Sequence, residues 1–394
     1  MAAANIVSSL FNIILFIYLA RVLLPESFGY LSYTFTIIFF AANFIDLGLS
    51  TYGTREIAKA PSRLSLYVSE IVSLRLILAC LLALLACGIA FLSSESANLK
   101  ILIIGSSLMF FKIALSAEWA FQGIERMGMV FLSLAANSAL QLGLVYTFIR
   151  GPGDLMRVPA LYFIATVPVT VLLLLLLKFR LLLKKADINK MAAHLLGSIT
   201  IWAISIFAQV YNGLDIFLLG FFSRIEEVGY FTISRRVVGE VALLMIFLAN
   251  ALLPQLAGSF GRDLCRFRAS TSKFLRLAVI LTVCTALPMM FLSRWIISLT
   301  VGSEYMPAAL PLNIMIIGLV LILFNLPYST GLIAAGLEKE VLKQTMGCAL
   351  ISIVLNLILM PAYGMIGASV SFVIVEAVAL LWIMRVHKKR ICFT

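Results

Sequence analysis

The chain has 394 residues, of which 62% are hydrophobic and 12% charged, with a formal net charge of +12 and a mean hydropathy of +1.09. A soluble globular domain carries roughly twice that charged fraction, so the composition excludes an ordinary soluble globule and leaves a polytopic membrane protein. Apolar runs of about 20 residues, each long enough for the roughly 30 Å hydrocarbon layer, recur along the whole length. Twelve spans are expected, over 1–20, 30–52, 71–92, 101–122, 129–148, 160–177, 196–222, 230–257, 274–291, 307–326, 345–360 and 366–384. No soluble domain fits between them. The first span lacks the basic n-region and the following cleavage site of a signal peptide, so it reads as a retained helix. Its start at residue 1 leaves room for a few cytoplasmic residues ahead of it.

Orientation follows from the connectors, because Lys and Arg are held on the cytoplasmic side. The connectors after even-numbered spans, with the tail, hold twenty of these residues, among them Arg55, Lys59 and Arg63, the group from Lys178 to Lys190, and Arg385 to Arg390, whereas the opposite set holds six. Both termini are therefore expected in the cytoplasm. Topology and contact with anionic membrane lipids account for the net charge without a nucleic-acid partner. The six cysteines and two histidines show neither metal spacing nor a disulfide framework, so the thiols read as free. No GxxxxGK[ST] loop is present, which argues against ATP hydrolysis.

A weak internal repeat gives the organisation. Leu19-Ala20, Glu26, Gly29, Tyr30 and Ser32 match Leu219-Gly220, Glu226, Gly229, Tyr230 and Thr232 at a separation of 200 residues, and Gly123-Ile124-Glu125-Arg126 is echoed by Gly336-Leu337-Glu338-Lys339. Two echoes in the same order read as two six-helix halves, 1–190 with a basic linker and 191–394 with a basic tail. An even number of helices returns the chain to its starting side, so the halves share one topology; transporters built this way hold substrate between the halves and alternate access. The linker's Leu181-Leu182-Leu183 run among lysines reads as a stretch lying on the inner surface.

Charged side chains within spans are rare and mark polar pathways or ion pairs. Here they are Asp46, Arg75, Lys112, Glu118, Asp215, Arg235, Arg236, Glu240 and Glu376. Lys112 lies near mid-span, where snorkelling is hardest, and is a candidate for an anionic substrate or for a salt bridge to a neighbouring helix. Arg235 and Arg236 lie about one and a half turns from the outer surface, so snorkelling competes with substrate contact. The first half has Phe35 and Thr36 at the matching positions, which favours a special role. Arg236 and Glu240 are spaced to pair. Asp215 is a candidate for substrate contact, capping or pairing. Asp46 and Arg75, near the cytoplasmic ends of adjacent spans, favour a structural ion pair. Glu376, near mid-depth of the last span, is a candidate carrier of a proton or cation, and Glu118 and Glu240 belong with these as coupling or pairing groups. Pro168, Pro254, Pro288 and Pro311 are expected to kink or break helices.

Several stretches carry a family resemblance. Asp46-Leu47-Gly48-Leu49-Ser50-Thr51-Tyr52-Gly53-Thr54-Arg55-Glu56-Ile57-Ala58-Lys59 runs an apolar helix into a basic exit. Tyr18-Leu19-Ala20-Arg21-Val22-Leu23 precedes Pro25-Glu26 and Phe28-Gly29, and Tyr211-Asn212-Gly213-Leu214-Asp215 through Gly220 precedes Val228-Gly229-Tyr230. Asn356-Leu357-Ile358-Leu359-Met360-Pro361-Ala362-Tyr363-Gly364 through Ala368 joins the last two spans. Together they resemble the Wzx-type O-antigen flippases, the polysaccharide-export branch of the multidrug/oligosaccharidyl-lipid/polysaccharide (MOP) superfamily. The resemblance implies an all-α, MATE-like fold of about twelve transmembrane helices in two six-helix halves around a central cavity. It further implies a bacterial inner-membrane flippase, not an enzyme, that moves undecaprenyl-diphosphate-linked oligosaccharide to the periplasmic face, coupled to protons or sodium and working beside other polysaccharide-assembly membrane proteins. A cation-coupled multidrug exporter and another lipid-linked precursor flippase are the near alternatives. A membrane-integral polymerase or ligase would need an extended outer loop, and the longest, over 150–159, offers only Arg150, Asp154 and Arg157.

Overall fold

The computed structural model describes residues 2–92, 97–178, 188–260 and 264–392. The chain forms two compact units, Met1–Ile206 and Phe207–Thr394, and the regular structure of the described residues is helical throughout.

In the first unit, α1 (Ala2–Asp46) folds back on itself. Leu24 leaves the helical region at φ 63°, ψ 167° ahead of Pro25, because the proline ring bars its predecessor from the α conformation and removes an amide. The rings of Phe16 and Phe28 then meet at 5.2 Å, whereas twelve residues of unbroken helix would separate them by about 18 Å. The expected spans 1–20 and 30–52 are thus two legs of one hairpin. The second leg ends at Asp46, earlier than expected, where Leu47 and Gly48 take φ of 44° and 75°. A separate helix, α2 (Leu49–Lys59), follows. Its buried Leu49, Gly53 and Ile57 recur every four residues, and Gly53 lets Trp119 and Ile71 press against the backbone. The polar exit is therefore a packed amphipathic helix, joined to α3 (Leu64–Leu92) through a core that includes Val68, Val72 and Phe121.

The expected span 101–122 is also divided, into α4 (Ala97–Ser106), α5 (Leu108–Leu115) and α6 (Glu118–Gly123). At both breaks a serine hydroxyl donates to a carbonyl three residues back, Ser107 to Ile104 at 2.6 Å and Ser116 to Ile113 at 2.8 Å, competing locally with the helical pattern. Helices α7 (Met127–Phe148), α8 (Val158–Leu176) and the start of α9 (Ile188–Phe222) complete the unit. The linker leucines 181–183 lie outside the described residues.

The second unit takes the rest of α9, then α10 (Ile225–Phe260), α11 (Leu264–Leu281), α12 (Leu287–Thr300), α13 (Ala309–Ala334) and α14 (Glu338–His387). A wide π turn at Thr282–Ala286 joins α11 to α12 just ahead of Pro288 and takes up the missing amide bond. Pro168 and Pro254 stand inside α8 and α10, and both helices continue past them. Pro311 falls in the first turn of α13, where no amide partner is needed. Helix α14 folds back at Gly364 (φ 52°, ψ −131°). Gly367 consequently lies against the Leu359 carbonyl, a pair that about 12 Å would separate in a straight helix. The Met365 amide opens the second leg by donating to Glu227 at 2.9 Å.

Ten helical stretches among the described residues are long and apolar enough to cross a membrane, and the two longest, Ser8–Lys59 and Glu338–Arg390, contain the two fold-backs. Large apolar side chains such as Leu84, Phe91, Leu175 and Phe291 face outward. This is a polytopic, all-helical membrane protein.

Candidate functional site

The breaks in the first unit converge on a buried cation. Arg75 of α3 has a side-chain exposure of 0%. Its Nη2 donates to the Asp46 carboxylate and the Ser50 hydroxyl, and its Nη1 to the Ser116 carbonyl at 3.3 Å. Trp119 offers its ring at 5.5 Å. Asp46 also accepts from the Ser50 amide at 3.2 Å and hydroxyl at 2.7 Å, so one carboxylate holds both the guanidinium and the first turn of α2. The helix breaks supply the groups that a buried charge requires: a carboxylate at one and a carbonyl freed from the helical ladder at the other.

Lys112 stands on the short α5, its Nζ 5.9 Å from the Tyr162 ring of α8, and Tyr162 meets Phe35 edge-on at 5.3 Å. No ion pair or hydrogen bond engages Lys112 among the described residues. Glu118 attracts both Arg75 and Lys112 electrostatically. Asp46, Arg75, Glu118 and Lys112 therefore belong to one polar neighbourhood.

The second unit builds its own site from α9, α10 and the second leg of α14. Arg235 donates through Nε to Asp215 at 3.2 Å and through Nη2 to the Asn212 carbonyl at 3.0 Å. Its guanidinium lies 4.5 Å from the centre of the Phe372 ring. One turn beyond Phe372, Glu376 accepts from the Tyr211 hydroxyl at 2.7 Å. Tyr211 and Asp215 are four residues apart on α9, and Phe372 and Glu376 four apart on α14, so each pair shares a helix face. Asp215 also accepts from the Ile216 amide at 2.8 Å; it orients Arg235. Arg235 keeps 15% of its side chain exposed, and its Nη1 makes no hydrogen bond among the described residues. A planar, partly open guanidinium backed by an aromatic face is suited to an anionic oxygen.

Arg236 points elsewhere on α10. It pairs with Glu240 at 2.7 Å and is 42% exposed, an arrangement worth little energetically. The candidates thus fall into three groups: the Asp46–Arg75–Glu118–Lys112 neighbourhood, the Asp215–Arg235–Glu376 neighbourhood, and the Arg236–Glu240 pair.

Sequence reading missed the aromatic and hydroxyl partners, Trp119 and Ser50 around Arg75, Phe372 and Tyr211 around Arg235. The four-residue spacing from Tyr211 to Asp215 and from Phe372 to Glu376 was the available signal. It also missed a pair with no place in the expected spans: His194 Nε2 lies 2.9 Å from Glu70 Oε2.

A profile of the polysaccharide biosynthesis protein family matches residues 1–260. A candidate O-antigen transporter of Shigella dysenteriae is 24% identical over 391 residues, covering 96% of this chain and 96% of its own. The capsular polysaccharide biosynthesis protein CapF of Staphylococcus aureus is 22% identical, covering 97% of this chain and 96% of its own. Among solved structures, the lipid II flippase MurJ in an inward closed conformation superposes with a TM-score of 0.78 at 13% identity, over 98% of this chain and 87% of that one. An inward-facing multidrug resistance MATE family transporter of the MOP superfamily gives 0.74 at 17% identity, over 98% and 95%. The chain has the fold of these transporters, and the match over residues 1–260 makes it a member of the polysaccharide biosynthesis protein family.

Proposed function

We propose that this protein is a flippase of the bacterial inner membrane that carries undecaprenyl-diphosphate-linked oligosaccharide, an O-antigen, capsule or exopolysaccharide repeat unit, from the cytoplasmic to the outer face. Family membership and full-length relatives with O-antigen and capsule names support the substrate class. The observation that carries the reading is made within each unit: a cation keeps donors unused among the described residues, Lys112 in the first and Arg235 in the second. Asp46 and Asp215 are bound to arginines and Glu376 to a tyrosine, whereas Lys112 and Arg235 Nη1 remain available. Cations of this kind within membrane spans favour a diphosphate over the cationic cargo of a drug exporter. Each folded-back stretch counts as two crossings, giving twelve, and the basic connectors set both termini in the cytoplasm. The cycle is alternating access between the halves, with proton or sodium coupling and delivery to polysaccharide-assembly proteins on the outer side.

The test is complementation of a strain lacking its O-antigen or capsule flippase, with the cognate sugar-assembly enzymes supplied and lipid-linked repeat units assayed on each membrane face. Restored polymer with units appearing outside upholds the reading. Units accumulating inside, despite correct insertion and the matching glycan, would transfer the weight to an exporter.

A further inference from the structure

The first unit holds a titratable cluster that the anionic-cargo site does not use. His194, on the second turn of α9, is buried with 8% of its side chain exposed; Glu70 of α3 has 12%. Their facing atoms, Nε2 and Oε2, are 2.9 Å apart, and the other ring nitrogen lies 3.4 Å from the Tyr52 hydroxyl. The rings of Tyr52 and Tyr67 meet the imidazole edge-on at 5.6 and 5.9 Å. The titratable and charged groups that surround its partner Tyr52 are Arg55 and Glu56 on α2 and Tyr67 and Glu70 on α3.

This cluster sits where α9 is docked. Gly197 accepts the Tyr52 ring against its backbone, and a Cβ on Gly48 would lie 2.9 Å from both the Ser198 carbonyl and the Trp202 amide. Gly48 is two residues from Asp46, the partner of Arg75. The same α9 runs unbroken from Ile188 to Phe222 and carries Tyr211 and Asp215 of the Arg235 site.

We propose that Glu70 and His194 form a proton-binding site whose occupancy sets how firmly the start of α9 is held to α2 and α3, coupling proton movement to the flipping cycle. Histidine is the side chain whose charge ordinarily changes between pH 5 and 8. One proton, taken from and returned to the aqueous phase, converts a neutral imidazole facing a carboxylate into an imidazolium–carboxylate pair, which adds the attraction between two opposite charges at close range. Proton binding tightens the latch; release loosens it. The coupling role rests on the flippase reading; the proton site does not.

The chain has two histidines, so isotope-labelled histidine in the full-length protein in lipid nanodiscs gives two imidazole signals, and His387→Gln leaves His194 alone. We expect the His194 signal to respond to pH and Glu70→Gln to displace that response. Amide hydrogen exchange over 188–198, corrected for intrinsic rates, should quicken about tenfold as the proton leaves, and lose its pH dependence in His194→Gln. His194→Arg, with a permanent charge toward Glu70, should keep exchange slow at every pH and stop flipping. A His194 signal that does not titrate, or that Glu70→Gln leaves in place, overturns the proposal. Wild-type protein that titrates and loosens but moves no lipid-linked oligosaccharide would overturn the flippase reading and uphold the proton site.

Discussion

Arg235 and Arg236 are neighbours in sequence with different work to do, which makes them a test of the site at the level of single side chains. Arg235 is oriented by Asp215 and Phe372 with donors to spare, whereas Arg236 is an exposed partner of Glu240. Loss of one charge-assisted bond to the proposed diphosphate costs about 1.5–3 kcal/mol. Arg235→Ala should therefore lower the flipping rate about 10- to 100-fold per molecule of protein in the membrane and, by leaving the buried Asp215 carboxylate unpaired, lower its abundance as well; Arg235→Lys should recover abundance but little of the rate, because a lysine lacks the planar fork. Arg236→Ala should pass nearly unnoticed. Lys112 makes no comparable fixed contacts, so Lys112→Arg should retain transport and Lys112→Glu abolish it. Asp46→Ala is the contrasting case: it strands the Arg75 charge in the interior and should destabilise by about 3–5 kcal/mol, seen as a lowered Tm in detergent and loss of protein from the membrane rather than as a rate defect.

At the scale of elements, the two folded-back helices turn by different means. Gly364 adopts φ 52°, ψ −131° with a carboxylate oxygen of Glu227 crowding the space a Cβ would fill, so Gly364→Val should cost several kcal/mol through backbone and steric strain combined. Leu24 carries φ 63° without being glycine, and Leu24→Gly should be neutral or stabilising by about 1 kcal/mol. Thermal unfolding of the purified variants checks both. The turns themselves were legible, since Pro25 and Pro361-Gly364 mark them in the sequence. The subdivision of 97–123 was not, because α4, α5 and α6 are separated by serines and an alanine within one apolar run, and hydropathy averages over breaks of one or two residues. Nor was α2, whose buried Leu49–Gly53–Ile57 face lies in a segment polar enough to read as a connector. The same averaging concealed Glu70 and His194. Hydropathy began their spans at 71 and 196, but the helices extend to Leu64 and Ile188, and the excluded turns contain the pair. The charged members of both sites were readable one by one; their grouping was not, because Tyr211, Phe372 and Trp119 enter as aromatic residues indistinguishable in sequence from lipid-facing ones.

For the whole molecule, the decisive quantity is parity. If α1 and α14 each cross twice, four crossings separate the N-terminus from the turn at Glu125, six separate that turn from Glu338, and two separate Glu338 from the C-terminal tail. All four points then lie on one side, which the proposed orientation makes the cytoplasm. If α1 crossed once, an N-terminal tag and position 125 would lie on opposite sides; if α14 crossed once, position 338 and the tail would. Single cysteines placed at Glu125, Gly151, Gly302 and Glu338 in a cysteine-free background, probed with an impermeant thiol reagent on intact cells and on inverted vesicles, read this directly. We expect 125 and 338 to react only in inverted vesicles, together with tags at both termini, and 151 and 302 only in intact cells. A terminus that parts from its neighbouring turn would identify which folded-back helix fails to return across the bilayer, and would remove the shared topology that the sequence repeat implies for the two halves.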